Sequence, residues 1–426
     1  MPNRLFGYML VGVPVVASDF PLYREVVGPS RCGLPVDPTR PDEIARALAY
    51  LIEHPQEMIA VAKVLLVVGA RPNFMKMAPL YFEMVRADAL RPLIVHTGQH
   101  YDYVMSQAFF EDLELPQPHH FLNAGSGSHA EQTARIMVEF EKVLLAEKPD
   151  LVIVFGDVNS TVACSLTAKK LLVPVAHVEA GLRSFDETMP EEINRRVTDT
   201  ISDLLFTPSP DGDENLRREG VAPKKIRRVG NIMIDSLLRI LQRIEPDRQA
   251  QIVQRFGLTP RNYVLVTLHR PSNVDEKDGL AQILRYLSRL AARVPVVFPV
   301  HPRTRKNIEA FGLAASFHAA LHLVEPVRYR EFLTLESHAR FIVTDSGGIQ
   351  EEATYLKLPC LTLRPNTERP ITVTEGTNEL ADMGNIEEYS ARILAGHWKQ
   401  GQIPALWDGR TAQRIVQVLR EYCGNE

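Results

Sequence analysis

The chain of 426 residues has few cysteines and few aromatics: four Cys, two Trp, and 7% Phe, Trp and Tyr together. Cys32, Cys164, Cys360 and Cys423 lie far apart and form no CxxC pair. That excludes a zinc ribbon and gives no basis for a disulfide framework. No apolar run approaches the roughly 20 residues needed to cross a bilayer, so no membrane span is expected. Met1–Gly7 contains Arg4 but lacks a secretion signal's order of charge, apolar core and small-residue cleavage site. A reducing cytoplasm is therefore the expected compartment. Excess positive charge is missing too. Lys and Arg number 48 against 52 Asp and Glu, a formal charge of −4. This excludes a broadly basic nucleic-acid binder, though not local anion sites. Gly69-Ala70-Arg71-Pro72 stands where a GxGxxG dinucleotide fingerprint would stand, and no HExxH or CxxC spacing offers a metal site. No cofactor and no metal are expected.

What is present is an ordinary globular composition, 45% hydrophobic and 23% charged. At roughly 100–200 residues per domain the length allows two to three domains. Short apolar runs alternate with longer amphipathic ones. Strands are predicted at Val64–Val68, Leu93–His96, Leu151–Phe155, Val175–Val178, Leu204–Thr207, Tyr263–Leu268, Val296–Val300, Leu321–Val324, Phe341–Thr344 and Cys360–Leu363. Most are nearly continuous Val, Ile, Leu and Phe, as strands buried on both faces of a parallel sheet should be. Helices are predicted between them, at Met75–Asp88, His129–Glu147, Ser160–Leu172, Glu191–Ser202 and Gly279–Arg293. The rhythm predicts an α/β architecture with two doubly wound parallel sheets. Asn231–Phe256, read as helical and charged, would bridge them.

Ligands of open α/β sheets bind beyond the carboxyl ends of the strands, and those ends are polar here. Arg71 and Lys76 follow the first predicted strand, Asp157 the third and Glu179 the fourth. His269 and Arg270 follow the sixth, His301 the seventh, and Asp345-Ser346-Gly347-Gly348 the ninth; Arg364 and Arg369 follow the tenth. Together they point to a large cleft lined by anion-binding and acid/base groups. Ser346-Gly347-Gly348 opens a helix, so its N–H groups could approach a phosphate; the alternative is a plain turn with Asp345 as the cap. The next Glu pair, Glu351 and Glu352, would reach past a phosphate to ribose hydroxyls. Asp157, Glu179, Glu191 and Glu192 form the carboxylate set. Glu191 and Glu192 could equally be first-turn helix stabilisers, and Asp157 a cap for the helix at Ser160. Clustered carboxylates should raise one another's pKa, which suits proton transfer near neutral pH. His269 and His301 are candidate acids or phosphate partners. His177, inside a strand, reads as a hydrogen-bonded core residue.

Two resemblances follow from these motifs. GVPVVASDFPLYREVV (Gly12–Val27) and CGLPVDPTRPDEIARAL (Cys32–Leu48) resemble the tail of a retaining, GT-B-type glycosyltransferase. The paired-glutamate motif that should precede the first of them is missing, and two strands with one helix cannot complete a Rossmann half. Residues 1–62 are therefore read as a remnant or appendage.

Beyond residue 62, GARPNFMKMAPL (Gly69–Leu80), TGQHYD (Thr97–Asp102), PDLVIVFGDVNST (Pro149–Thr161), PVAHVEAGLRS (Pro174–Ser184), MPEEINRR (Met189–Arg196), VTLHRPSNVD (Val266–Asp275), PVHPRT (Pro299–Thr304), TDSGGIQEEA (Thr344–Ala353) and NTERP (Asn366–Pro370) resemble the non-hydrolysing UDP-N-acetylglucosamine 2-epimerases. The resemblance implies a GT-B-like fold, with Rossmann-like domains at residues 63–235 and 236–404 and a C-terminal helix, about 405–426, packing back on the first. It implies a homodimer interconverting UDP-GlcNAc and UDP-ManNAc through 2-acetamidoglucal, for cell-surface polysaccharide synthesis. By resemblance Asp157, Glu179 and Glu191 transfer protons and stabilise the oxocarbenium ion, and His269, the fourth catalytic residue, lies near the diphosphate or the leaving oxygen. Arg71, Lys76, Arg195, His301, Ser346, Gly347, Gly348 and Arg369 hold diphosphate or sugar, and Glu352 the ribose. Two segments depart from the family pattern. Pro271-Ser272 stands where a second Arg and a Glu are usual, and Tyr101-Asp102 where many bacterial members carry Arg-Glu near a regulatory substrate site.

Overall fold

The computed structural model describes residues 15–19, 33–53, 61–87, 89–99, 110–313 and 317–424, with the side chain of Arg71 outside that set. Tyr101 and Asp102 also lie outside the described residues. Near the N-terminus, β1 (Val15–Ser18) and β2 (Gly33–Val36) pair in parallel, and the helix Pro41–Glu53 packs on them. The first strand is half-buried, and the helix buries only Ala47 while exposing Leu48 and Ile52.

Two larger parallel sheets follow. The first contains β3 (Ala62–Val68), β4 (Leu90–His96), β5 (His120–Phe121), β6 (Leu151–Phe155), β7 (Val175–Val178), β8 (Leu204–Thr207) and β9 (Ile226–Arg228), in the order β5-β4-β3-β6-β7-β8-β9. The second contains β10 (Val264–Thr267), β11 (Val296–Pro299), β12 (Leu321–Val324), β13 (Phe341–Thr344), β14 (Cys360–Leu363) and β15 (Asn378–Ala381), in the order β12-β11-β10-β13-β14-β15. Every strand predicted from the sequence is present. The three that escaped prediction, β5, β9 and β15, are all edge strands. An edge strand is half-solvated and has no need of a continuous apolar run; β9 reads Ile-Arg-Arg.

Both faces of the first sheet are covered. Val64, Leu66 and Ile153 face one core, Leu65, Val67 and Val152 the other. The order reverses between β3 and β6, and between β10 and β13, so each sheet has a switch point where a crevice opens beyond the strand ends.

Asn231–Phe256 is not one charged bridge. It is two helices, Ile232–Leu241 and Pro246–Arg255. The first is apolar and buried. Ile232, Ile234 and Leu237 join a core that also holds Met77 and Leu80 of the helix Arg71–Val85, Leu333 beside the second sheet, and Ile415 and Leu419 of the C-terminal helix Thr411–Gly424. Pro246 opens the second helix at its first position, where a missing N–H costs nothing.

Asp235 links the buried helix to the C-terminal one, accepting the N–H groups of Thr411 (3.2 Å) and Ala412 (2.8 Å). Burial pushes its carboxyl up to about 6, although these bonds oppose the shift. The folded chain thus holds this proton more tightly than the unfolded one, and the associated stability is present below about pH 4 and lost as pH rises through about 6. Asp235→Asn is expected to gain stability relative to the parent as thermal denaturation is repeated from about pH 4 to pH 7. A pH-independent difference would contradict this.

Candidate active site

The site is built where the two switch points face each other. After β3, Asn73 accepts the N–H groups of Gly69 (3.1 Å) and Ala70 (3.0 Å) and donates to the Phe155 carbonyl at the end of β6 (2.8 Å). A Cβ on Gly69 would come within 2.0 Å of Ser160 Oγ, so only glycine lets β3 and the helix Asn159–Lys170 approach this closely. Lys76, one turn further along, is buried and pairs with Glu179.

Glu179 follows β7 with φ +76°, left-handed for a residue with a Cβ. Such backbone costs about 1–3 kcal/mol and must be held by its surroundings. Its N–H and that of Ala180 donate to the Phe206 carbonyl (3.1 and 3.0 Å). Glu179 Oε1 accepts from Arg369 of the second sheet's side at 2.5 Å. Arg369 also engages Glu368 (2.5 Å) and Glu351 (3.0 Å), and Asn231 donates to Glu351 (2.9 Å). Beside this chain of charges, Arg195 joins Asp157 (2.8 Å) to Glu192. Glu192 in turn accepts the Ser184 N–H and hydroxyl, both at 2.9 Å.

This arrangement corrects two expectations. Asp157 does not cap the helix at Ser160, because Val158 is the capping position and makes no side-chain bond. Nor do the carboxylates simply raise one another, because cations are interleaved among them. Burial works against ionisation of Asp157, but Arg195 and Lys76 outweigh it and hold the carboxyl below its ordinary value. Burial pushes Lys76 down to about 8, with Asp157 and Glu351 opposing.

On the opposite side, Asp345 is fully buried and does not cap the helix Gly347–Tyr355 that follows it. It turns to the neighbouring strand's loop, accepting the N–H groups of His269 (3.0 Å) and Arg270 (2.9 Å) and the Asn273 amide (3.1 Å). The His269 ring meets it through Nδ1 at 3.1 Å with 48% of the side chain exposed, so Nε2 points away from Asp345. Burial opposes ionisation of Asp345, but these partners keep its carboxyl below the usual range. Ser346 makes no side-chain cap, and a Cβ on Gly347 would meet Arg369 Nη1 at 2.4 Å. Gly348 is roomier, its nearest neighbour being Met233 Cε at 3.8 Å.

The remaining predicted residues divide. Glu191 is half-buried in the first turn of the helix Pro190–Ile201 and acts electrostatically on Arg270 across the cleft. Glu352 is buried, accepts the Tyr329 hydroxyl (2.6 Å) and faces Glu336, whose carboxyl is pushed far up by burial and by Glu352 itself. His301 is exposed at the end of β11, where its ring accepts the Arg303 N–H (3.3 Å). Arg71 is the first residue of the helix that follows β3. Sequence reasoning assigned no role to Asn73, Asn231 or Glu368; only the position of Glu368 beside Arg369 could have flagged it.

The family model for UDP-N-acetylglucosamine 2-epimerase matches residues 83–420. The chain belongs to this family. A second model, for group 1 glycosyl transferases, matches residues 5–63. The chain is 44% identical over 366 residues to a UDP-N-acetylglucosamine 2-epimerase homolog of Methanococcus maripaludis, covering 84% of this chain and 99% of that protein. It is 41% identical over 362 residues to the UDP-2,3-diacetamido-2,3-dideoxy-D-glucuronate 2-epimerase of Pseudomonas aeruginosa, covering 84% and 99%. A crystal structure of the Methanocaldococcus jannaschii UDP-GlcNAc 2-epimerase in complex with UDP-GlcNAc and UDP superposes with a TM-score of 0.77 at 42% identity, again over 84% of this chain and 99% of that one. The paired Rossmann-like domains expected of the family are those described above.

The ammonium of Lys76 is expected to lose its proton as pH passes about 8. Calorimetric affinity for UDP should then fall across about pH 7.5–9, and Lys76→Arg should move the fall to higher pH, since guanidinium stays protonated. A flat profile for the parent would remove Lys76 from diphosphate binding.

Proposed function

We propose that this epimerase interconverts UDP-GlcNAc and UDP-ManNAc without hydrolysis. The observation that carries the reading is the placement of Asp157 and Glu179 beyond adjacent strands, each bound to cations, across the cleft from His269 and the Ser346–Gly348 turn. The C2 hydrogen of the sugar is too weakly acidic for simple abstraction. In elimination a carboxylate takes the C2 proton, the C1–C2 double bond forms, and the C1–O bond breaks to release UDP. A proton then enters C2 from the other face and UDP adds back to C1. Asp157, Glu179 and Glu191 supply the proton transfers and stabilise the oxocarbenium ion. His269 acts with them at the diphosphate or the leaving oxygen. Arg71, Lys76, Arg195, His301, Ser346, Gly347, Gly348 and Arg369 hold diphosphate or sugar, and Glu352 the ribose. Donors fixed before reaction stabilise a departing diphosphate at little reorganisation cost. Lys76, Arg195 and Arg369 already have carboxylate partners. Diphosphate therefore exchanges partners with them rather than entering a bare positive pocket.

We place the working enzyme in residues 63–404 with the returning C-terminal helix, as a cytoplasmic homodimer serving polysaccharide synthesis. The Pseudomonas relative favours one second reading, in which a diacetamido uronate replaces GlcNAc on the same nucleotide.

Proton NMR of the protein with each nucleotide sugar is expected to show UDP-ManNAc formed from UDP-GlcNAc to a constant ratio. Stoichiometric free ManNAc and UDP would establish a hydrolysing enzyme, and turnover of the uronate alone would establish the second reading. Glu179→Gln and Asp157→Asn should each lower kcat at least about a hundredfold, as loss of acid/base groups does; near-parental rates would remove them from the chemistry. Deleting residues 1–60, which spares β3, should leave kcat within about twofold, since none of the residues proposed to orient substrate is removed. A soluble but inactive truncation would show that the appendage is needed.

A further inference from the structure

His177 is fully buried in β7, and its two ring nitrogens meet different groups. Nε2 lies 2.8 Å from the Gly156 carbonyl oxygen, and Nδ1 lies 2.6 Å from Asp199 Oδ1. A carbonyl oxygen only accepts, so Nε2 must carry a hydrogen. Through its other oxygen Asp199 accepts the Gly181 N–H (3.0 Å) and pairs with Arg183 (2.7 Å). The Arg183 guanidinium and the Gly181 N–H on that oxygen stabilise Asp199 as a carboxylate, independently of His177. An ionised carboxylate also only accepts, so Nδ1 must carry a hydrogen too.

We propose that His177 is a buried imidazolium that fixes the separation of Asp157 and Glu179. Gly156 directly precedes Asp157, and Gly181 lies two residues after Glu179. The ring thus ties the loop beyond β6, through Asp199, to the loop beyond β7. That second loop needs anchoring. Glu179 and Gly181 both have positive φ, 76° and 82°, and a Cβ on Gly181 would meet the Gly212 carbonyl oxygen at 2.3 Å. Arg183 continues the string to Glu219 (2.8 and 2.6 Å), so two cations face two carboxylates. A neutral imidazole could donate to only one neighbour and would release either Gly156 or Asp199. His177 acts through the loops it holds and is a positioning residue. The proposal rests on Asp157 and Glu179 being the proton-transfer groups.

The test has two arms. In two-bond proton–nitrogen spectra of 15N-histidine-labelled protein near pH 7, both His177 ring nitrogens should appear protonated, with protons that exchange slowly. His177→Gln identifies the signals by their loss, and His177→Asn serves if the first variant does not fold. One bare ring nitrogen, with the proton on Asp199 instead, overturns the imidazolium. In the second arm, His177→Gln keeps one amide donor for two acceptors. It should lower kcat about tenfold or more with KM for UDP-GlcNAc within about threefold, as expected for misplacement of reacting groups. Unchanged kcat overturns the positioning role. A parent without epimerase activity would overturn the proposed function instead, leaving the spectrum to decide the charge on His177.

Discussion

The cleft depends on Glu179 being held between Lys76 and Arg369, cations carried by opposite sides of the molecule. All three side chains are nearly buried, and burying an ion costs several kcal/mol unless partners compensate. Charge therefore alternates through the site, from Lys76 to Glu179 to Arg369 to Glu351 and Glu368. The groups proposed to bind and deprotonate substrate are also the groups that join the two sheets. Removing a single member strands a buried charge, at a cost of about 3–5 kcal/mol. Charge-conserving or amide substitutions are thus more informative here than alanine.

The two sheets explain why these groups can meet. Each reverses its strand order once, between β3 and β6 in one and between β10 and β13 in the other. Asn73 staples the loops of the first switch point together, and Asp345 does the same at the second. Neither residue needs to touch substrate. They set the positions of Lys76 and His269, the groups that face the cleft.

Much of this was legible in the sequence. Strands buried on both faces must be nearly continuous Val, Ile and Leu, and those were all found. Of the four edge strands of the two sheets only β12, which reads Leu-His-Leu-Val, was found; β5, β9 and β15 were missed because an edge leaves one side to solvent, where polar residues such as Arg227 and Arg228 are tolerated. The site residues were legible as polar groups following apolar runs, since parallel strands all end on the same side. Their partners were not. Asn231 and Glu351 are 120 positions apart, and Glu179 and Arg369 are 190 apart. No local spacing announces such pairs. The expected mutual repulsion of the carboxylates was overestimated for the same reason at Glu179, whose cations Lys76 and Arg369 come from distant segments; only Arg195, three residues from Glu192, is local. Pro246, a residue that opens helices, is the one mark in the sequence that Asn231–Phe256 holds two helices.

The central claim is that Asp157 and Glu179 mediate proton exchange at C2 while UDP departs and returns. Epimerisation followed by NMR in deuterated water tests it most directly. One solvent deuterium is expected at C2 of UDP-ManNAc from the first turnover, with that incorporation suppressed in Asp157→Asn and Glu179→Gln. Product formed with its original C2 hydrogen retained would contradict it.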